Sequence, residues 1–225
     1  MCGRYARFTS AEIYARLFDA GPALEVEARY NVAPSQPVLA ARNAIGGGRE
    51  LVMLHWGLIP FWSRERSPGY STINARAETV ATRPAFRSAL RLRRCLIAAD
   101  GFYEWRKLGK GKQPYFIRLK GGEPFAFAGL WERWEGEGAV VESCAIIVTV
   151  ANERVALIHD RMPVILAPGD YDRWMDPGQK EPAQLLSLLG SYPAQAMEAY
   201  PVGREVNSPH NEGVGLITPV PAAQE

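Results

Sequence analysis

The sequence predicts an α+β fold: a single domain over residues 1–225, built on an antiparallel, partly closed, barrel-like β-sheet with peripheral helices. Two observations predict it. Short strand-type runs recur along the whole chain and are joined by hairpin signals. Helix-type segments are scattered among them, with no internal repeat, clear linker or heptads.

Residues 2–8 read as a short strand. Thr9-Ser10-Ala11-Glu12 matches a capping box, and Ile13, Tyr14, Leu17 and Phe18 then follow at helical spacing as far as Gly21-Pro22. Tyr30-Asn31-Val32-Ala33-Pro34 reads as a loop entering a strand at 37–41. Gly46-Gly47-Gly48 turns the chain into 51–56, so these two strands form a hairpin. No Gly-Lys-Ser/Thr follows the glycines, which makes them a poor phosphate loop. Residues 57–70 read as irregular, with Pro60, Pro68, Gly69 and two exposed-type aromatics, Phe61 and Trp62. Residues 71–78 read as extended, and 84–92 as a helix with Pro84 in its first turn. Residues 95–99 and 102–105 flank Asp100-Gly101, a two-residue hairpin signal. Strands at 114–119 and 124–130 lie across a Lys-Gly-Gly turn, and 143–150 is a buried-type apolar strand. Asn152 caps a helix to 158, 162–166 is a strand, and helices follow at 170–175 and 182–189. The Pro/Ala-rich stretch from about Thr218 is expected to fray.

With 47% apolar and 22% charged residues the chain has material for a full core and is not disordered throughout. Cys2, Cys95 and Cys144 are far apart with no CxxC, which argues against a zinc ribbon and a disulfide scaffold. No basic-then-apolar leader and no long apolar run is present, so a soluble protein of a reducing, cytoplasmic compartment is expected, with no membrane partner. The net charge is +2, but residues 61–120 hold 14 Lys/Arg against 4 Asp/Glu. That asymmetry fits a surface facing a polyanion, or equally a solvated basic face.

Met1-Cys2-Gly3-Arg4-Tyr5 carries the sharpest chemical signal. Removing Met1 leaves Cys2 with an α-amine and a thiol on adjacent carbons, both nucleophilic near neutral pH. This 1,2-aminothiol can condense with an aldehyde to a thiazolidine or attack an acyl carbon. Three further sites are candidates. In Asn74-Ala75-Arg76-Ala77-Glu78, Asn74 could hold a substrate oxygen and Arg76 a phosphate. Glu104, among Phe102, Tyr103 and Trp105, could be desolvated and titrate near pH 7. In His159-Asp160-Arg161, His159 could shuttle protons and Arg161 pair with phosphate. Trp62 lies in a loop among arginines, as in a base-stacking platform.

Together these pieces resemble the SRAP proteins, the SOS-response-associated peptidases that crosslink to abasic sites in single-stranded DNA. The matching segments are MCGRY, YNVAPSQ at 30–36, HWGLIPFW at 55–62, INARAET at 73–79, CLIAADGFYEW at 95–105, FAFAGLWE at 125–132 and HDRMP at 159–163. The resemblance implies Cys2 as the nucleophile that forms a thiazolidine with the abasic-site aldehyde. It implies Asn74, Glu104 and His159 as the other active-site residues. Arg4, Arg76 and Arg161 become phosphate contacts, with Trp62 near stacked bases. It also implies self-removal of Met1 and single-stranded DNA with an abasic site as partner. The chemistry requires no metal or organic cofactor, and a monomer is expected. Two other classes share features of this sequence. Glutamine amidotransferases of the N-terminal-nucleophile type also begin Met-Cys-Gly, and a non-covalent single-stranded nucleic-acid-binding module would also use the basic middle and Trp62.

Overall fold

The computed structural model describes residues 2–22, 24–66, 72–109, 111–136 and 138–221. Strand β1 (Tyr5–Arg7) leads into helix α1 (Ala11–Leu17), followed by β2 (Arg29–Val32), β3 (Pro37–Asn43), β4 (Arg49–Trp56) and β5 (Asn74–Arg76). After α2 (Arg87–Leu92) come β6 (Arg94–Ala99), β7 (Gly101–Leu108), β8 (Gly111–Leu119), β9 (Phe125–Gly136) and β10 (Ala139–Val150). The chain finishes with β11 (Arg161–Pro163), β12 (Ile165–Leu166), α3 (Tyr171–Met175), α4 (Pro182–Leu186) and β13 (Met197–Pro201).

Two sheets result. One is antiparallel, in the order β13-β8-β7-β1-β2. In the other, β10-β4-β3-β6-β9 lie side by side and β9 pairs back onto β10, closing five strands into a ring that β5, β11 and β12 extend. The α+β, barrel-like fold is therefore present. One detail departs from the expected antiparallel sheet: β10 runs parallel to β4 and to β5. An odd number of strands cannot close with every neighbour antiparallel, so a five-stranded ring needs a parallel pair, and β10–β4 is that pair.

The β3–β4 hairpin forms as expected, in register from Pro37–His55 to Asn43–Arg49. Gly47 (φ 92°) and Gly48 (φ 72°) supply the left-handed backbone of its turn. The hairpin expected at Asp100-Gly101 does not form. β6 pairs with β3 and β9, whereas β7 pairs with β1 and β8, so the chain changes sheets at this corner. The reason lies in side chains far away in sequence. The buried Asp100 carboxyl accepts hydrogen bonds from the backbone N–H groups of Phe8 and Thr9, the Thr9 hydroxyl and the Tyr14 phenol. At Gly101 the ring of Phe116 stands 2.2 Å from where a Cβ would be, so only glycine fits. Thr9 is thereby drawn away from capping α1, whose N-cap residue is Ser10 without a side-chain cap bond.

Elsewhere the expected helices are shorter and most of the expected strands longer, as at β9 (Phe125–Gly136, expected at 124–130) and β10 (Ala139–Val150, expected at 143–150). Residues 30–32, expected in a loop, belong to β2 and pair with β1. The helix expected up to 158 is a single 3-10 turn, with Asn152 Oδ1 accepting from the N–H groups of Arg154 and Val155. The strand expected at 162–166 is split: β11 pairs with β10 and β12 with β9. Thr218 onward is tied down as far as Val220, whose N–H donates to Pro201 O at 3.0 Å. The irregular stretch expected at 57–70 is described as far as residue 66. Its remainder, Ser71 and the last four residues lie outside the described residues.

Side-chain alternation with period two builds two apolar layers on the ring strands. Leu96 and Ala98 of β6, Ala126 and Ala128 of β9, and Ala145 and Ile147 of β10 pack with the helices, including Tyr14, Leu90, Trp174 and Leu185. The intervening Cys95, Ile97, Phe127, Ile146 and Val148 pack with Tyr5 and Phe102 of the second sheet and with Cys2. Each large apolar side chain buried this way contributes roughly 1.5–3 kcal/mol. Asp100→Ala should cost at least about 3 kcal/mol, because two backbone N–H groups and two hydroxyls lose their acceptor at once. Urea unfolding would measure this, and a loss below about 1 kcal/mol would show that the corner holds without the carboxyl.

Candidate active site

Strand register places the first site residues. Tyr5 pairs with Phe102 and Ala6 with Gly101, and Tyr103 N–H donates to Arg4 O. Continuing this antiparallel register brings Gly3 opposite Glu104, so Cys2 arrives beside the carboxyl. From the other side, β5 lies against the C-terminal half of β10, with Asn74 level with Ile146. Asn74 Nδ2 donates to Cys2 O at 2.8 Å, and its Oδ1 is buried with no hydrogen-bond partner among the described residues. His159 closes the group from the turn before β11, its Nε2 4.0 Å from Glu104 Oε2. Cys2, Asn74, Glu104 and His159 thus converge from four separate segments at the seam between the two sheets.

Burial sets the electrostatics. Cys2 is fully buried, and burial first, then the Glu104 charge, pushes its thiol well above the usual range. The backbone N–H of Arg4 points at the sulfur and opposes this. Glu104 is 3% exposed, and its pKa is raised to about 7, chiefly by burial and further by the Asp160 charge. His159 is lowered, again mainly by burial. At neutral pH the site therefore pairs a carboxyl near half-protonation with a mainly neutral imidazole.

The tautomer of His159 can be read from its surroundings. The Arg161 N–H donates to His159 Nδ1 at 3.0 Å, which leaves the neutral ring's proton on Nε2, facing Glu104. Asp160 Oδ1 is also 3.0 Å from Nδ1, a contact that favours the imidazolium. The two contacts suit different protonation states, so Asp160 makes proton uptake easier than burial alone would allow. Asp160 was not singled out from the sequence, although it adjoins His159; nor was Lys112 of β8, whose charge lowers the His159 pKa.

The four DNA-contact candidates are placed differently. Arg76 is exposed at the end of β5. Arg161 pairs with Glu78, a contact linking the ends of β5 and β11 across β10. Arg4 turns inward: its Nη1 donates to Asn31 Oδ1 at 2.8 Å and Val206 O at 2.7 Å. Trp62 belongs to the separate loop after β4 and is 55% exposed, beside Phe61 at 50%. The Trp134 indole N–H anchors that loop at Ser63 O, 2.8 Å away. Among the described residues no group of three or more His, Cys, Asp or Glu is placed to hold a metal ion, and no helix is long and apolar enough to cross a membrane.

Fold and site together define a protein built around a buried thiol close to a carboxyl and an imidazole. A family model described as SOS response associated peptidase (SRAP) matches residues 1–209, and the chain belongs to that family. It is 46% identical over 222 residues to the abasic site processing protein YoaM of Bacillus subtilis, covering 96% of this chain and 97% of that protein. It is 34% identical over 228 residues to the abasic site processing protein YedK of Escherichia coli, covering 98% and 100%. A crystal structure of a Bacteroides thetaiotaomicron protein superposes with a TM-score of 0.87 at 26% identity, covering 97% of this chain and all of that one.

The raised Glu104 pKa has a consequence for stability. The folded state holds the proton more tightly than the unfolded chain, so the stabilisation it brings is complete below about 4.5 and is lost as pH rises through about 7. Glu104→Gln has no proton to lose. Its stability relative to wild type should rise across that window by about 3 kcal/mol and stay level above it. Unfolding curves at pH 5 and pH 8 would test this; a pH-independent difference would mean that Glu104 ionises normally.

Proposed function

We propose that this chain recognises abasic sites in single-stranded DNA and captures them covalently on Cys2 once Met1 has been removed. The observation that carries this reading is the placement of Cys2 beside Glu104, a carboxyl whose pKa is raised to about 7. Relatives named as abasic site processing proteins, similar over nearly the whole chain, support the substrate class.

The chemistry follows from the site's protonation states. The ring-opened abasic sugar presents an aldehyde. The freed Cys2 amine adds to it, giving a carbinolamine. Glu104 donates its proton to the hydroxyl, water leaves, and an iminium and a Glu104 carboxylate remain. The buried thiol, kept protonated until this point, then adds its sulfur to the iminium carbon. Its proton returns to Glu104. One C–N and one C–S bond form, the C=O bond is lost, and one water is released, so Glu104 ends as it began. Asn74 holds the Cys2 carbonyl and so fixes where the aminothiol points. His159, with its Nε2 proton on the Glu104 side, assists opening of the sugar ring. Thiazolidine closure removes the Schiff base before it can promote β-elimination of the 3′ phosphate. Arg76 and Arg161 serve as phosphate contacts, Arg161 exchanging Glu78 for the DNA. Arg4 acts mainly by bracing the strand that carries Cys2, and Trp62 offers a stacking face. Removal of Met1 by the chain itself is the peptidase reading of the same nucleophile.

Incubation with an oligonucleotide carrying one abasic site, followed by denaturing electrophoresis, tests this. Cys2→Ala should form no stable adduct, and Cys2→Ser only a reversible imine. An uncleaved N-terminal tag should block capture as fully as Cys2→Ala. Normal capture by a tagged protein, or steady Cys2-dependent glutaminase turnover, would overturn the reading.

Glu104→Gln should slow capture at pH 7 by about 10²- to 10⁴-fold while leaving DNA affinity nearly intact. The wild-type rate should fall above about pH 7 as Glu104 loses its proton, and the variant should lack that limb. A wild-type rate in the variant would transfer the acid role to His159.

A further inference from the structure

The strongest basic feature of the sequence is not used by the site. Arg83, Arg87 and Arg91 recur every four residues through α2 and the turn before it, and all three side chains are exposed. The backbone bond from Arg87 N–H to Arg83 O, 2.9 Å, continues the helical path back to Arg83. The three guanidinium groups therefore emerge on one face, with successive Cα atoms about 6 Å apart along the axis. None of them has a hydrogen-bond or ion-pair partner among the described residues, unlike the neighbouring Arg93 and Arg94. Arg93 pairs with Glu132, and Arg94 binds the carbonyls of Leu90, Arg91, Trp174 and Asp176.

Such a row is unfavourable for the fold itself. Like charges four apart on a helix repel. The helix dipole favours Arg91 in the last turn but disfavours Arg87 at the start, and the first turn holds no acid. Beside the row runs a groove of about 590 Å³ between α2 and the start of α4. Arg87, Ser88, Arg91, Lys180 and Pro182 line it, and no acidic side chain does. The row also connects with the site: Thr79 N–H bonds to Arg76 O at 3.0 Å and Arg83 N–H to Thr79 O at 2.9 Å. These two consecutive turns carry the chain from Arg76 to Arg83.

We propose that Arg83, Arg87 and Arg91, with Lys180 across the groove, form a second phosphate-binding surface, which holds the DNA arm running away from the captured nucleotide. This rests on the reading of the site as a DNA site and extends it. The two turns between Arg76 and α2 join the site's Arg76 directly to the arginine row. The strand's charges supply the counter-ions that the protein omits. The surface carries no base-reading geometry, so it adds affinity without sequence preference.

A triple Arg83→Gln, Arg87→Gln, Arg91→Gln variant tests the proposal, glutamine being a good helix former. Two single-stranded abasic oligonucleotides serve as probes, one only long enough to fill the site and one with long arms on both sides, with an intact long oligonucleotide as a third. The variant should capture the short probe at the wild-type rate. It should bind both long probes at least tenfold more weakly at low salt, with a salt slope shallower by about 2 for three lost contacts. Its melting temperature should equal or exceed that of wild type, because repulsion is relieved. Equal affinity and slope for the long probes would overturn the proposal and leave the surface to another partner. Equal weakening on short and long probes would also overturn it, since the row would then act at the site itself. Failure of wild type to capture the short probe would refute the capture chemistry instead, while the intact probe would still report on the arginine row.

Discussion

The arrangement depends on one corner. At Asp100 the chain leaves the closed ring and enters the second sheet, and the Asp100 carboxyl gathers four donors from Phe8, Thr9 and Tyr14. That grip sets the register of β1 against β7. The register in turn decides that the residues before Tyr5 run alongside Glu104. A shift of one residue would turn every side chain of β1 to the opposite face, taking Cys2 with it. Phe116, filling the space above Gly101, leaves no room for a side chain at this corner.

Desolvation then gives the assembled groups their chemistry. The same seam that buries Cys2 raises both the thiol and Glu104, and it lowers His159. All three shifts favour neutral forms, as expected where water is excluded. The outcome is a carboxyl close to half-protonated at neutral pH, chiefly through burial and further through the Asp160 charge. Asp160, 86% exposed in its side chain, is placed to modulate this balance from the rim.

Much of this was legible in the sequence. The β3–β4 hairpin could be read because glycine chemistry and strand pattern agree there. That Cys2, Asn74, Glu104 and His159 meet could be expected, because Cys2 has a distinctive chemistry and the others lie in recognisable segments. The Asp100-Gly101 corner could not, because the same dipeptide suits a hairpin and a sheet crossing. The donors that decide between them lie more than 80 residues earlier in the chain. Arg4 was read as a phosphate contact, whereas its guanidinium reaches Asn31 and the Val206 carbonyl. That link spans 202 residues and leaves no local pattern. The parallel β10–β4 pair follows from closing an odd-numbered ring, a property of the whole sheet that no single segment carries.

The Arg4–Val206 bond also has a consequence in time. The strand bearing Cys2 is braced by a carbonyl made 202 residues after Arg4, and Asn31, which holds the same guanidinium, bonds the still later carbonyls of Ser208 and Asn211. At a translation speed of about 5–20 residues per second, roughly ten to forty seconds pass between the emergence of Cys2 and that of its brace. During that interval β1 can already pair with β2 and β7, while Arg4 still lacks one of its two native acceptors. The Arg4 end of β1 is thus fixed only once the segment around Val206 has been made.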